Sequence, residues 1–239
     1  MIDAYFINSP NGRKMSIMLA ECALEHRLID TGQVDVLSKA FRQINPNARL
    51  PAIIDHAPMG GGGEPFRVFE SGAILIYLAE KSGRFLSGDP LVRSTQMQWL
   101  IWQMAGLGPM HGQAHHFTRY APDPVDPYAL QRFRREAERL LYVMNRRLAE
   151  AAYLGGEEYS IADIACWPWI EVLNVIEMDR TPFAHLDRWF SQIAARPGVQ
   201  EGCRFELHPM MQKPGRIRLD ADNFSRAFGD ELHRRNRLD

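Results

Sequence analysis

Two short pairs of residues, Leu50-Pro51 and Glu70-Ser71, have the chemistry to hold a small peptide. A proline before a strand makes a tight turn that leaves the N–H and C=O of Leu50 open to an extended ligand. A serine at a helix start can bind a carboxylate through free N–H groups and the helix dipole, and Glu70 can pair with an ammonium. Read alone, Pro51 is equally a loop terminator and Ser71 equally a helix N-cap. Together the pairs predict a peptide-like ligand with a carboxylate.

The turn Ser9-Pro10-Asn11-Gly12 is a third candidate, at the end of the first predicted strand and the start of the first predicted helix. Open α/β sheets bind ligands at such places. The turn is explained equally well by preferred turn residues; the functional interpretation makes the Ser9 O–H and an Asn11 N–H donors to a thiolate. A hydrogen bond to a charged acceptor is worth about 1.5–3 kcal/mol, and one pKa unit is about 1.4 kcal/mol. One or two donors therefore lower a thiol pKa of ~8.5 toward neutrality.

Other charged and ligating residues give weaker signals. Arg49, beside Leu50, is a candidate to hold a carboxylate at the other end of the ligand, although a solvated surface arginine is the default interpretation. Arg132 stands among other arginines on a predicted helix, which favours a solvated charged face. His111 and His115 are one helical turn apart, but the sequence between them lacks the glutamate of the H-E-x-x-H motif, so we expect no metal.

The composition narrows the possible function classes. The 239 residues are 46% hydrophobic and 24% charged, which predicts one large or two small packed domains. A formal net charge of -1 gives no reason to expect nucleic acid or an anionic membrane as a partner. The sequence has no apolar run as long as a membrane span and no secretory signal pattern. Three widely spaced cysteines suit a reducing cytosol, so we expect a cytoplasmic protein.

The first third of the chain, which carries most of these candidate residues, combines strand and helix patterns. Apolar runs and turn signals predict the order strand, helix, strand, helix, strand, strand, helix over residues 1–83. We expect a helix over 36–44 that ends before Asn45-Pro46, and a hairpin between 52–54 and 66–69. This order predicts an α/β domain with helices against a small mixed sheet.

Helical patterns dominate from residue 91 onward. We predict a linker at 83–90, an all-helical domain over 91–203 and a C-terminal extension over 204–239. The expected helices cover 92–110, 127–151, a segment capped by Ser160 with Asp163, 184–195 and a late one near 224–235.

Taken together, these residues resemble the glutathione transferase superfamily. The matching segments are Ser9-Pro10-Asn11-Gly12, Leu50-Pro51-Ala52-Ile53, Phe69-Glu70-Ser71-Gly72-Ala73-Ile74 and Tyr159-Ser160-Ile161-Ala162-Asp163-Ile164-Ala165. The chain looks closest to the nu class, whose bacterial members act as glutathione-dependent disulfide-bond reductases. The class-specific matches are Asn11 in place of a tyrosine or cysteine, Trp102-Gln103, Gly106-Leu107-Gly108-Pro109-Met110 and His115-His116-Phe117.

The resemblance implies a thioredoxin-like N-terminal domain, an all-helical C-terminal domain and a homodimer that uses glutathione, reduced or as its disulfide, as cosubstrate. It implies that Leu50 pairs through its backbone with the cysteinyl part of glutathione and that Pro51 is cis. It further implies that Glu70 and Ser71 hold the γ-glutamyl end.

The resemblance also assigns residues around the sulfur. In the nu class, Ser9 and Asn11 would face the thiol, and Arg132 would lie near a second glutathione or the disulfide. Gln98 would reach the site of the partner subunit. Residues 31–40 match the family poorly, and a ligand-contacting glutamine expected there has two candidate counterparts, Gln33 and Lys39.

We therefore expect a glutathione-dependent disulfide-bond reductase that acts on small thiol and disulfide substrates. A glutathione thiolate stabilised by Ser9 and Asn11 would attack the disulfide, and a second glutathione would resolve the mixed disulfide. Two alternatives stay open. The first is transfer of glutathione to electrophiles or reduction of peroxides, and the second is a non-catalytic glutathione-binding regulatory protein.

Overall fold

The first third of the chain folds around a four-stranded mixed sheet. The computed structural model describes residues 1–31, 34–212, 214–235 and 237, without the side chains of residues 30 and 210. The strands are β1 (Ile2–Phe6), β2 (His26–Asp30), β3 (Ala52–Asp55) and β4 (Phe66–Phe69). The strand order is β2-β1-β3-β4, in which β1 and β2 run parallel and the other neighbours are antiparallel. The predicted hairpin of β3 and β4 is thus confirmed.

Helices cover this sheet because their apolar residues need a partner surface. Helix α1 (Pro10–Glu21) packs against α3 (Ser71–Ser82), and Phe41 of α2 (Lys39–Arg42) meets Tyr5 edge to face at 5.9 Å. The predicted helix over 36–44 is wrong in length, because Ser38 accepts a hydrogen bond from the Phe41 N–H and starts the helix late.

The second part of the structure is helical, as predicted. Its helices are α4 (Pro90–Trp102), α5 (Gly108–Arg119), α6 (Pro127–Glu150), α7 (Ile161–Glu171), α8 (Ala184–Ala194) and α9 (Pro197–Gly202). Every residue of α7 from Ile161 to Ile170 is buried, and α7 packs against α1, α3 and α4. The α/β part and the helical part therefore share one packed interface.

The helix predicted over 92–110 instead continues to Arg119 through a π-helical segment, Gln103–Leu107. The physical reason is Pro109, which has no N–H to donate and whose ring would crowd the carbonyl four residues earlier in a regular α-helix. A wider π turn relieves that conflict. Gln103, the first residue of this segment, is fully buried.

A capping box starts α7 where the sequence predicts it. Asp163 accepts hydrogen bonds from the Ser160 N–H and O–H, both at 3.0 Å. It also accepts from the Leu154 N–H at 2.9 Å and from the Trp189 indole N–H at 2.8 Å. This buried carboxylate therefore joins three parts of the helical region.

The C-terminal extension folds back over the molecule. Its late helix is interrupted at Gly229, giving α10 (Ala221–Phe228) and α11 (Asp230–Arg235). Phe228 stacks on Tyr120 with ring centroids 5.6 Å apart, and Arg235 forms a 2.6 Å ion pair with Asp35. The extension therefore runs from the end of α5 to the segment before α2. Among the described residues, no helix has both the length and the apolar character needed to cross a bilayer.

Candidate functional site

Most of the sequence-predicted site residues surround one cleft. Its volume is ≈ 230 Å³, and its lining consists of Asn11, Asn45, Asn47, Arg49, Leu50, Pro51, Glu70, Ser71 and Met104. These residues come from the start of α1, the loop before β3, the start of α3 and the π segment. Six predicted residues that are scattered over the sequence are therefore neighbours in space.

The loop before β3 presents the first of these residues. The Leu50-Pro51 peptide bond is cis, as the resemblance implies. Asn45, which is 2% exposed, shapes this loop by donating to the Arg49 carbonyl at 2.6 Å and accepting from the Asn47 N–H at 2.9 Å. Leu50 precedes the strand, and no hydrogen bond among the described residues uses its backbone N–H. That N–H therefore keeps its hydrogen-bonding capacity for a ligand.

The start of α3 presents the second pair. Glu70 is the N-cap residue, with φ 69 and ψ 121, a strained conformation for a residue other than glycine. The prediction that Ser71 is the N-cap is thus wrong by one residue. Ser71 is the first helical residue, and its Oγ instead accepts a hydrogen bond from Lys14 Nζ at 3.2 Å. Its N–H is one of the free donors at the helix start.

Lys14 lies behind Ser71 and is fully buried. Its Nζ donates to Gln103 Oε1 at 2.6 Å and approaches Met104 Sδ at 3.4 Å. Burial lowers the pKa of Lys14 to about 7. Lys14 was not predicted from the sequence. The available signal was a lysine three positions after Asn11, on the face of α1 that carries Ile17 and Met18.

A second cleft, of ≈ 370 Å³, adjoins the first and shares Asn11, Glu70 and Met104 with it. Its other lining residues are Lys14, Gln103, Gly108, Pro109, Gly112, Gln113 and Trp169. Asn11 lies where the two clefts meet, and its Oδ1 accepts a hydrogen bond from the Trp169 indole at 3.3 Å. Trp169 was not among the site residues predicted from the sequence.

Three predicted residues have other surroundings. Ser9 caps α1 by accepting a hydrogen bond from the Gly12 N–H at 3.4 Å. Arg132 is 55% exposed on α6 and lies 3.8 Å from Glu136. Gln98 is exposed on α4 and donates to Ser94 Oγ at 3.4 Å. Of the two candidates in 31–40, Gln33 lies outside the described residues and Lys39 is exposed at the start of α2.

The two histidines considered as metal ligands lie in the interior, and the three cysteines are buried or partly buried. His111 and His115 are buried against Trp169, and burial lowers their pKa values to about 4 and about 3. Among the described residues, no group of three or more side chains has the arrangement to hold a metal ion. Cys22 and Cys166 are buried and Cys203 is partly buried, all without a disulfide partner. Burial raises the pKa of each thiol, that of Cys203 to about 12.

Known proteins share this architecture. The profile of the glutathione S-transferase C-terminal domain matches residues 109–197. The chain is 48% identical over 201 residues to the disulfide-bond oxidoreductase YfcG of Escherichia coli strain K12, covering 83% of this chain and 93% of that protein.

Two solved structures extend the comparison. A glutathione transferase from Burkholderia graminis with two glutathione molecules bound per subunit has a TM-score of 0.76 at 37% identity, covering 84% of this chain and 86% of that one. A glutathione transferase from Pseudomonas putida with one glutathione disulfide bound per subunit has a TM-score of 0.75 at 39% identity, covering 84% and 90%. The thioredoxin-like sheet, the helical second part and these likenesses agree, and the chain belongs to the glutathione transferase family.

Proposed function

We propose that this protein is a glutathione-dependent disulfide-bond oxidoreductase. The observation that carries the proposal is the cleft that gathers Asn11, Leu50-Pro51 and Glu70-Ser71. All three cysteines of the chain are buried or partly buried with raised pKa values, so none is a ready nucleophile at neutral pH. A cleft suited to a thiol-bearing peptide, in a chain without a reactive thiol, indicates that the nucleophilic sulfur arrives with the ligand.

In this proposal glutathione lies extended along the cleft and contacts its lining residues. The γ-glutamyl carboxylate accepts hydrogen bonds from the Ser71 N–H and O–H at the helix start, and Glu70 pairs with the ammonium. The cysteinyl backbone pairs with Leu50, and Arg49 faces the glycyl carboxylate. This orientation brings the thiol to Asn11, where the two clefts meet.

The chemistry then consists of two thiol–disulfide exchanges. The glutathione thiolate attacks one sulfur of the substrate disulfide, and the other substrate sulfur leaves as a thiolate that takes up a proton. A second glutathione thiolate attacks the glutathione sulfur of the mixed disulfide, releasing the second substrate thiol and forming glutathione disulfide. The cleft beside Trp169 has room for the second partner. The two glutathiones in the Burkholderia graminis relative support this arrangement.

The test is glutathione-dependent reduction of hydroxyethyl disulfide, with glutathione disulfide formation followed through glutathione reductase and NADPH. Asn11→Ala removes one donor to a charged sulfur, so we expect kcat/KM to fall about 10–100-fold. Gln192→Ala, on the exposed side of α8, is the matched control and keeps full activity.

Three results would contradict parts of the proposal. Full activity of the Ser9→Ala, Asn11→Ala double variant overturns the thiolate roles. Turnover of chlorodinitrobenzene or cumene hydroperoxide without disulfide reduction supports the transferase or peroxidase alternative. Tight glutathione binding without turnover of any of these substrates supports a regulatory protein.

We also propose that the protein forms a homodimer and works in the cytoplasm. Large apolar side chains stand exposed on α4 and β4, with Leu91 79%, Ile101 57% and Phe66 52% exposed. Exposed apolar surface of this kind favours contact with a second copy of the chain. Light scattering during size exclusion should give twice the chain mass, and Leu91→Glu with Ile101→Glu should give the monomer mass. The unpaired cysteines suit a reducing compartment.

A further inference from the structure

The hydrogen bond between Trp169 and Asn11 joins the two parts of the molecule at the candidate site. Trp169 lies on α7 and is 9% exposed, and its Nε1 is 3.3 Å from Asn11 Oδ1. Both residues line the second cleft. The contact therefore lies at the point that the proposed function gives to the ligand sulfur.

The chemistry of indole decides which end of the Asn11 amide faces it. An indole N–H is only a donor, so the atom that meets it must be the amide oxygen. The other end of a planar amide is the NH₂ group, a donor. A free asparagine can rotate by half a turn and present its oxygen to an anion. An oxygen facing a thiolate repels it, whereas an N–H stabilises it.

The indole itself has little freedom to move. His111 and His115 of α5 approach it edge to face, with ring centroids at 6.3 and 6.1 Å. The α5 backbone lies close on the same side: a Cβ built on Gly108 would lie 3.6 Å from the indole and one on Gly112 3.8 Å, both ordinary van der Waals distances. The buried histidines are neutral at pH 7. The ionisable groups that line the cleft itself are Lys14 of α1 and Glu70 before α3.

We propose that Trp169 is a positioning residue: its indole N–H holds the Asn11 amide oxygen and thereby offers Asn11 Nδ2 to the ligand sulfur. This inference rests on the proposed function. Trp169 acts through Asn11 and needs no contact with the sulfur. Trp169 therefore affects the pKa of the bound thiol and kcat. The KM for glutathione depends on Leu50 and Ser71 and should change little.

The test compares two tryptophans of the same helix. Trp169→Phe removes the indole N–H that faces Asn11. Trp167→Phe is the matched control, because the Trp167 indole donates to the Phe190 carbonyl at 3.1 Å instead. The thiolate absorbance of bound glutathione is titrated from pH 5 to 10, and disulfide reduction is measured on the same samples.

We expect Trp169→Phe to raise the pKa of the bound thiol by about 0.5–1 unit and to lower kcat about 3–10-fold, the range of one neutral hydrogen bond. Trp167→Phe should leave the thiol pKa unchanged. In the Asn11→Ala background, Trp169→Phe should add no further shift. An unchanged thiol pKa in Trp169→Phe, or an equal shift in the Asn11→Ala background, would overturn the inference.

A measurement without ligand separates this inference from the proposed function. The Nε1–H signals of Trp167 and Trp169 are recorded by NMR in the unliganded wild type and in Asn11→Ala. Only the Trp169 signal should move and exchange faster with solvent. If both signals stay unchanged, the contact is wrong; if Trp169 responds but glutathione does not bind, the proposed function fails instead.

Discussion

Asp163 and Lys14 are both fully buried ionisable side chains, yet their surroundings differ in kind. Asp163 accepts four hydrogen bonds from strong donors, two of them from backbone N–H groups. Lys14 has two neutral oxygen acceptors and a thioether sulfur, which is a weak acceptor. The first site is saturated and belongs to the scaffold. The second is more weakly satisfied and lies beside an open cleft.

The largest expected effect tests the saturated site. Asp163→Ala leaves four buried donor groups without their acceptor, so we expect the free energy of unfolding to fall by about 3–5 kcal/mol. Urea denaturation measures it. Asp187→Ala, which breaks a half-exposed ion pair with Arg180, is the control and should change the stability by less than about 1 kcal/mol. Equal losses of stability in the two variants would contradict the assignment of Asp163 to the scaffold.

Lys14 should respond with the opposite sign. Lys14→Met keeps a flexible chain of similar length and removes a buried charge, so we expect a gain of about 1–3 kcal/mol in stability at pH 7. Because Ser71 loses the group behind it, glutathione affinity measured by calorimetry should fall about 3–10-fold. A variant that is both less stable and unaffected in binding would contradict the assignment of Lys14 to the site.

The pH dependence of folding stability gives a further test of the burial of Lys14. The pKa of Lys14 falls from its ordinary 10.5 to about 7 in the folded protein, so between these pH values the unfolded chain binds more protons. Stability from this group therefore rises with pH across that window, and the full burial penalty remains below about pH 7. The advantage of Lys14→Met over wild type should shrink from pH 7 to pH 10. Parallel stability curves would contradict the lowered pKa.

The smallest effect is expected at the C-terminal extension. Arg235→Ala breaks the ion pair with Asp35, whose side chain is 45% exposed. Solvent-exposed pairs of this kind contribute about 0–1 kcal/mol, and salt screens them. We expect a change below about 1 kcal/mol in urea denaturation at 0.15 M salt. A larger loss would mean that the extension is part of the cooperative core.

Local signals explain what was predictable from the sequence. The pair Leu50-Pro51, the start of α3 and the capping box of Ser160 with Asp163 each depend on residues within a few positions of one another. The helix patterns of the second part follow from apolar periodicity, and they predicted its type well. The exact ends of helices were less predictable, as the start of α2 and the N-cap position of α3 at Glu70 illustrate.

Contacts between distant segments explain what was missed. Gln103, at the start of the π-helical segment, meets Lys14 across 89 residues of sequence, and Trp169 meets Asn11 across 158. A tryptophan in an apolar helix and a lysine near a turn carry no local mark of such a role. The residues proposed to hold the ligand were therefore predictable from local sequence, whereas those proposed to orient them depend on the packing of the two parts.

The buried thiols have a consequence for how long a single molecule can work. Oxidants and alkylating agents attack exposed thiolates first, and Cys22, Cys166 and Cys203 are sheltered, protonated thiols. In the proposed reaction, the sulfur that is oxidised belongs to glutathione and leaves with the product. The cysteines of the protein are not oxidised in this reaction, so we expect the protein to stay active under oxidising conditions, when disulfides accumulate.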